Sequence, residues 1–294
     1  IDGVHETEVE AQVLDRLKGA GVYMDLVASN WAGFYHQNEP LHDSGEDYFT
    51  ICDVKMKEGC KIHDNEAAQG AGVCIMDFLP KKYYNTHCNK WSYDFRSVIS
   101  LEGADIYDNH SKYIDETNDI MYGGGLLVNK TPRLAIHHDG DVTTLGPDWE
   151  LGHKRGYEEG GGSCNTLVTV SGGKIYGNTA ISDNKGYGGA LAIVDEFPTN
   201  ITSVCSVEFG GTAEMYNNTS DNHGGGVYIE NGAFTMTGGA IGKAPVDSVS
   251  NKNNSINGNG GGVYITGNRS SVVINGGNVE YNEVQKGNGG GIYV

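Results

Sequence analysis

Seven times along this chain a short glycine cluster runs straight into an apolar–variable–apolar triplet. The copies are Gly19-Ala-Gly-Val-Tyr-Met24, Gly70-Ala-Gly-Val-Cys-Ile75, Gly123-Gly-Gly-Leu-Leu-Val128, Gly188-Gly-Ala-Leu-Ala-Ile193, Gly224-Gly-Gly-Val-Tyr-Ile229, Gly260-Gly-Gly-Val-Tyr-Ile265 and Gly289-Gly-Gly-Ile-Tyr-Val294. A sequence that repeats one word builds a stack of similar units, each packed on its neighbours. The first and third triplet positions are always apolar, while the middle one varies through Tyr23, Cys74, Leu127, Ala192, Tyr228, Tyr264 and Tyr293. That alternation is the period-2 signature of a strand with one buried face.

A second word precedes most triplets: an apolar pair, one or two glycines, then apolar-x-x-Asn. It reads Val168-Thr-Val-Ser-Gly-Gly-Lys-Ile-Tyr-Gly-Asn178 and Val273-Ile-Asn-Gly-Gly-Asn-Val-Glu-Tyr-Asn282, with weaker copies ending at Asn65, Asn109 and Asn218. Another copy begins at Phe234, and an insertion displaces its Asn. Each repeat is therefore expected to hold three short strands separated by Gly- and Asn-rich corners, residues that accept left-handed backbone angles cheaply. Strands that pair from one turn to the next predict an all-β fold, a right-handed parallel β-helix of about seven coils. Asn65, Asn109, Asn178, Asn218 and Asn282 would then stack at one corner as an amide ladder.

The glycine clusters are spaced 51, 53, 65, 36, 36 and 29 residues apart, so the regular repeats occupy the C-terminal third. Residues 1–294 read as a single β-helix segment with two long insertions, at 76–97 and 129–166. The chain is expected to be a piece of a longer polypeptide. Gly is 45 of 294 residues, yet no Gly-X-Y period and only 6 Pro occur, which excludes collagen. A net charge of −18 without a basic block argues against nucleic acid and anionic membranes as partners. No stretch approaches the apolar length of a membrane span. Cys52, Cys60, Cys74, Cys88, Cys164 and Cys205 form an even set without Cys-x-x-Cys spacing; this favours disulfides over metal, with small buried thiols as the alternative. Seven Asn-x-Ser/Thr sequons, at Asn109, Asn129, Asn200, Asn217, Asn218, Asn253 and Asn268, are what an Asn- and Thr-rich chain produces partly by chance.

The Gly-Gly-Gly-Val-Tyr-Ile and Phe-Thr-Met-x-Gly-Gly-x-Ile words resemble the right-handed β-helix repeats of large surface proteins of gut-dwelling Gram-positive bacteria. Gly188-Gly-Ala-Leu and the apolar-x-x-Asn words are also similar to the repeats of chlamydial polymorphic outer-membrane proteins. The likeness covers nearly all of 19–294, interrupted by the insertions. Ile or Met stands where the chlamydial word has Phe, and the first three repeats are strongly elaborated. The resemblance implies an extracellular, adhesin-like β-helix and names no ligand.

Several residues are candidates for chemistry. Tyr228, Tyr264 and Tyr293, stacked in register, would make an outward aromatic ladder: either a self-packed strand face or a platform for sugar rings or a partner protein. Trp91 and Tyr93 in the first insertion, and Trp149 in the second, compete for that role or form the private cores of their loops. Within His137-His-Asp-Gly-Asp141, the pair Asp139 and Asp141 would suit a calcium ion in a loop, although Asp-Gly-Asp is also an ordinary turn sequence. Two adjacent His cannot face one metal from a strand. No catalytic residue is assigned, because no Asp recurs on successive strands as glycoside hydrolysis on such a scaffold would need. The expected function is a non-catalytic stalk and adhesive scaffold at the cell surface, binding a glycan or protein, with no cofactor apart from the calcium site. The alternatives are a carbohydrate-active β-helix enzyme and a structural filament whose copies stack end to end.

Overall fold

The computed structural model describes residues 21–25, 49–77, 94–112, 120–130, 163–195, 203–243 and 252–294. Among the described residues the regular structure is all β, without helices, and the strand pairings are parallel. The triplets form one seven-stranded sheet in chain order: Val22–Asp25, Val73–Asp77, Leu126–Lys130, Leu191–Asp195, Val227–Glu230, Val263–Thr266 and Ile292–Tyr293. A second, eight-stranded sheet collects the longer strands, from Phe49–Lys57 to Ser271–Val279. A third, of six short strands, runs from Glu66–Ala67 to Glu283–Val284, and Met121–Tyr122 pairs separately with Gly186–Tyr187. Neighbours within the main sheets come from successive repeats, an arrangement compatible with a parallel β-helix.

The register follows the words. Val22, Val73, Leu126, Leu191, Val227, Val263 and Ile292 are consecutive Cα partners, and so are Met24, Ile75, Val128, Ile193, Ile229 and Ile265. From Val73 to Val263 the first column is fully buried, in one core with Ile99, Leu101, Ile106, Val168, Ile175, Phe209 and Phe234. Each such side chain contributes about 1.5–3 kcal/mol by leaving water.

The long strands differ from expectation. The corner expected between the apolar pair and the apolar-x-x-Asn word is a bend inside one strand. Ser163–Tyr176 stays paired with Asp94–Tyr107 through register shifts at Gly172. Gly173 makes this bend at φ +81, where a Cβ would lie 2.1 Å from the Ala104 carbonyl oxygen. The insertions are also narrower than their sequence bounds. Met76 and Asp77 belong to Val73–Asp77, Asp94 opens Asp94–Tyr107, Asn129 and Lys130 end Leu126–Lys130, and Ser163 opens Ser163–Tyr176.

After the apolar-x-x-Asn word the chain turns into the third sheet, and there the asparagines form a continuous ladder. Asn178 shows the pattern. Its Nδ2 donates to Asn218 Oδ1 at 3.0 Å and to the Ile106 carbonyl at 3.0 Å, while its own backbone N–H donates to the same Asn218 Oδ1 at 3.1 Å. Asn109 below it and Asn218 above repeat these bonds, and Asn65 repeats the two to the next rung's Oδ1. The ladder has a rung that the sequence reading did not assign: Asn253 stands between Asn218 and Asn282, accepting from the first and donating to the second at 2.9 Å. It is the asparagine displaced by the insertion after Phe234. Two positions past a rung, a small side chain points inward: Ala67, Ser111, Ala180, Ser220 or Ser255, all buried. A rung, an outward residue and an inward Ser spell a sequon. The Asn109, Asn218 and Asn253 sequons are thus ladder geometry, with buried amides that cannot carry a glycan in the folded chain.

Among the described residues no disulfide is present. Cys205 packs in the main core, Cys60 packs half-buried against it, and Cys74 sits in a separate cluster on the outside of the triplet sheet. Their burial matches the alternative reading, small apolar fillers. Cys88 lies outside the described residues, as do the side chains of Cys52 and Cys164.

Two predictions follow from the corners. Asn178→Ala takes away the acceptor of the buried Asn109 backbone N–H, the link between the two side-chain amides and the donor to the Ile106 carbonyl, and is expected to lower stability by about 3 kcal/mol. Asn282→Ala, at the more exposed end of the ladder, should cost about 1 kcal/mol, both read by urea unfolding. Gly224 opens its cluster at φ +68, and an added Cβ would lie 2.4 Å from the Val227 oxygen. Gly224→Ala should therefore cost about 2–3 kcal/mol. Gly59→Ala, at φ +89 with open space around it, should cost about 1 kcal/mol.

Candidate binding face

The middle triplet column lies on the outside of the seven-stranded sheet, and most of it is covered. Cys74, Leu127 and Ala192 are fully buried and Tyr228 is 5% exposed, in a cluster with Tyr122 and Val194 that Tyr187 and Tyr264 flank. A parallel sheet is usually covered on both faces, and here residues just ahead of the glycine clusters supply part of the cover. The paired strands Met121–Tyr122 and Gly186–Tyr187 bring Tyr122 and Tyr187 to this face; the Tyr187 ring lies 4.9 Å from Tyr228 and the Tyr122 ring 5.8 Å from it. His223 takes the equivalent place one repeat later and stacks on Tyr264 at 4.1 Å with planes 5° apart.

The aromatic ladder expected at Tyr228, Tyr264 and Tyr293 is present as a geometric object. Ring centroids are 5.6 and 5.4 Å apart, with planes within 4° and 3°. Its accessibility is graded. Tyr228 is sealed, its hydroxyl donating to Glu230 Oε2 at 2.9 Å, whereas Tyr264 and Tyr293 are half-buried. Burial pushes the Tyr228 and Tyr187 hydroxyls above the ordinary phenol range, so both stay protonated. A platform for a ligand is therefore confined to Tyr264, Tyr293 and the His223 edge.

The rim of this face is rich in amides. Asn222 Nδ2 donates to the Tyr187 hydroxyl oxygen at 3.2 Å, and Asn259 Oδ1 accepts from the Asn288 backbone at 2.8 Å. The Asp221 carboxylate turns inward and accepts backbone N–H groups of Ser182, Asn184 and Gly186 at 2.7, 2.8 and 2.6 Å. It thereby shapes the 182–186 turn and is fully occupied as a structural acceptor. Such a face can offer flat rings and amide donors to a polar ligand.

The other expected site residues, Trp91, Tyr93, Trp149, Asp139 and Asp141, lie outside the described residues. Among the described residues no group of three or more His, Cys, Asp and Glu side chains gathers. A feature that sequence reasoning missed is a second aromatic row, on the eight-stranded sheet: His63, Tyr107, Tyr176 and Tyr216. Its signal was in plain view, because these residues all occupy the second position of the apolar-x-x-Asn word.

His223 gives the face a pH dependence. Its Nδ1 accepts the Asn259 backbone N–H at 2.9 Å, which requires a neutral ring, and burial holds its pKa below the ordinary imidazole value. A depressed folded pKa means that the unfolded chain binds the proton more readily. The stabilisation is complete above about pH 6.5 and is lost as the pH falls from there through the folded value. Unfolding midpoints at pH 7.5 and 5.0 should therefore separate more in the wild type than in His223→Gln. Comparison with protein-family models, curated proteins and solved structures finds no match for this chain.

Proposed function

We propose that the chain winds as a right-handed parallel β-helix of about seven coils, three strands to a coil, and serves as the stalk and adhesive scaffold of an extracellular surface protein. The observation that carries this reading is the uninterrupted register of the seven triplets, locked at the next corner by the asparagine ladder. Right-handed winding follows from the general preference of parallel crossovers. A rod of this kind holds its outward side chains at fixed intervals, as presentation of a binding surface requires. The scaffold binds a glycan or a protein without transforming it, through the Tyr264–Tyr293 end of the outer column and through the insertions within 76–97 and 129–166.

A second reading is end-to-end assembly of copies. Concentration-dependent filaments in electron micrographs would favour it.

Adhesion of the purified chain to cells and to a glycan array tests the main reading. Binding is expected to fall about tenfold in Tyr264→Ala/Tyr293→Ala or on deletion of the insertions. Binding that ignores every one of these changes, or release of shortened sugars from a polysaccharide panel, would overturn it.

A further inference from the structure

The second aromatic row belongs to a different face from the one described above. His63, Tyr107, Tyr176 and Tyr216 follow buried Ile62, Ile106, Ile175 and Met215, so the strand period turns them outward. Their ring centroids are 4.6, 4.9 and 5.3 Å apart and adjacent planes agree within 11°, 4° and 7°. One end of the stack is closed by Lys243, whose Nζ lies 4.9 Å above the Tyr216 ring and is held by Glu214 at 2.8 Å. The rings spend their faces on one another. What they leave toward solvent is a line of ring edges and phenol oxygens, half-buried at the three tyrosines. Burial, the leading influence, raises the Tyr176 and Tyr216 pKa, so these hydroxyls remain hydrogen-bond donors.

We propose that this row is a binding track for a linear, uncharged polysaccharide lying along the stack, one sugar residue to each ring. The proposal rests on the adhesive reading above and adds to it a second surface with its own ligand class. Three features select the ligand. The repeat along the row is close to the advance of an extended, equatorially linked sugar polymer, and a periodic ligand is what a periodic row of donors fits. The rings stack face to face and offer only their edges, so one sugar gains little and affinity has to accumulate over several contacts. The column beside the row alternates in sign, with Lys61, Asp105, Lys174 and Glu214 as successive register partners, and the chain carries a net charge of −18. Lysines and carboxylates balance in that column, so an anionic polymer gains no net attraction there and is repelled at long range by the net charge.

Isothermal titration of the full chain with neutral 1,4-linked gluco- and xylo-oligosaccharides of one to six units tests this. Affinity is expected to climb with length and to level off at about four units, one for each ring. The double substitution Tyr107→Phe/Tyr176→Phe keeps the stack and removes two hydroxyls. It should weaken the hexasaccharides about tenfold with an unchanged circular dichroism spectrum. The proposal is overturned by a hexasaccharide affinity equal in the variant and wild type, by equal binding of a uronic-acid polymer, or by the absence of binding at every length. It is also overturned if the row proves to capture a protein. Cell adhesion that persists in any of those cases leaves the scaffold reading intact and removes only this track. Adhesion absent as well would remove both.

Discussion

A parallel stack has one recurrent difficulty: wherever the chain leaves one sheet for the next, its amides and carbonyls lose their ladder partners while still inside the protein. The rungs from Asn65 to Asn282 answer it with a side chain that both donates and accepts. Each Oδ1 from Asn109 to Asn253 takes the main-chain N–H and the side-chain amide of the rung before it. Each Nδ2 from Asn109 to Asn282 returns to a strand carbonyl of the preceding repeat. Asp would supply no donor, and Gln would reach too far for the same closure. The corner therefore fixes the rise from one repeat to the next, and the three sheets inherit their register from it.

With the register held, the other columns become consequences. The apolar positions fall above one another and make a single core. The middle positions do the same on the outer side, where Tyr122 and Tyr187 help to turn them into a second, smaller core that opens toward Tyr264 and Tyr293. Aromatic residues that recur at one position of a repeated word are brought within ring contact of one another by the strand spacing, and in both tyrosine rows they stack. Both tyrosine rows are products of the same repeat distance, and they differ only in what covers them.

The sequence carried whatever depends on position within a repeat. The triplet register was legible residue by residue, since a column of apolar residues has one alignment that buries all of them. Five of the six rungs were legible for the same reason. Asn253 was not, because its spacing from Phe234 is stretched by residues that break the word. Cover over the middle column was illegible too: Tyr187 reaches Tyr228 across a sequence separation of 41 residues, and no local pattern announces that approach. The His63–Tyr216 row is legible in the same way as the rungs, since each member follows the apolar residue of an apolar-x-x-Asn word. The long strands bent at Gly173 rather than breaking, because a glycine at positive φ redirects a strand without ending its pairing.

The overlap between ladder rungs and sequons reaches beyond the folded molecule. Enzymes that glycosylate Asn-x-Ser/Thr in a eukaryotic secretory pathway act on the nascent chain, before any rung has closed. A sugar attached then at Asn109, Asn218 or Asn253 would replace an amide hydrogen on which the corner depends and leave a bulky polar group to be buried. The word that builds the corner is thus also a point at which biosynthesis in the wrong compartment would stop the stack from propagating. Recombinant production of this chain is best placed in a host or compartment that leaves those asparagines bare.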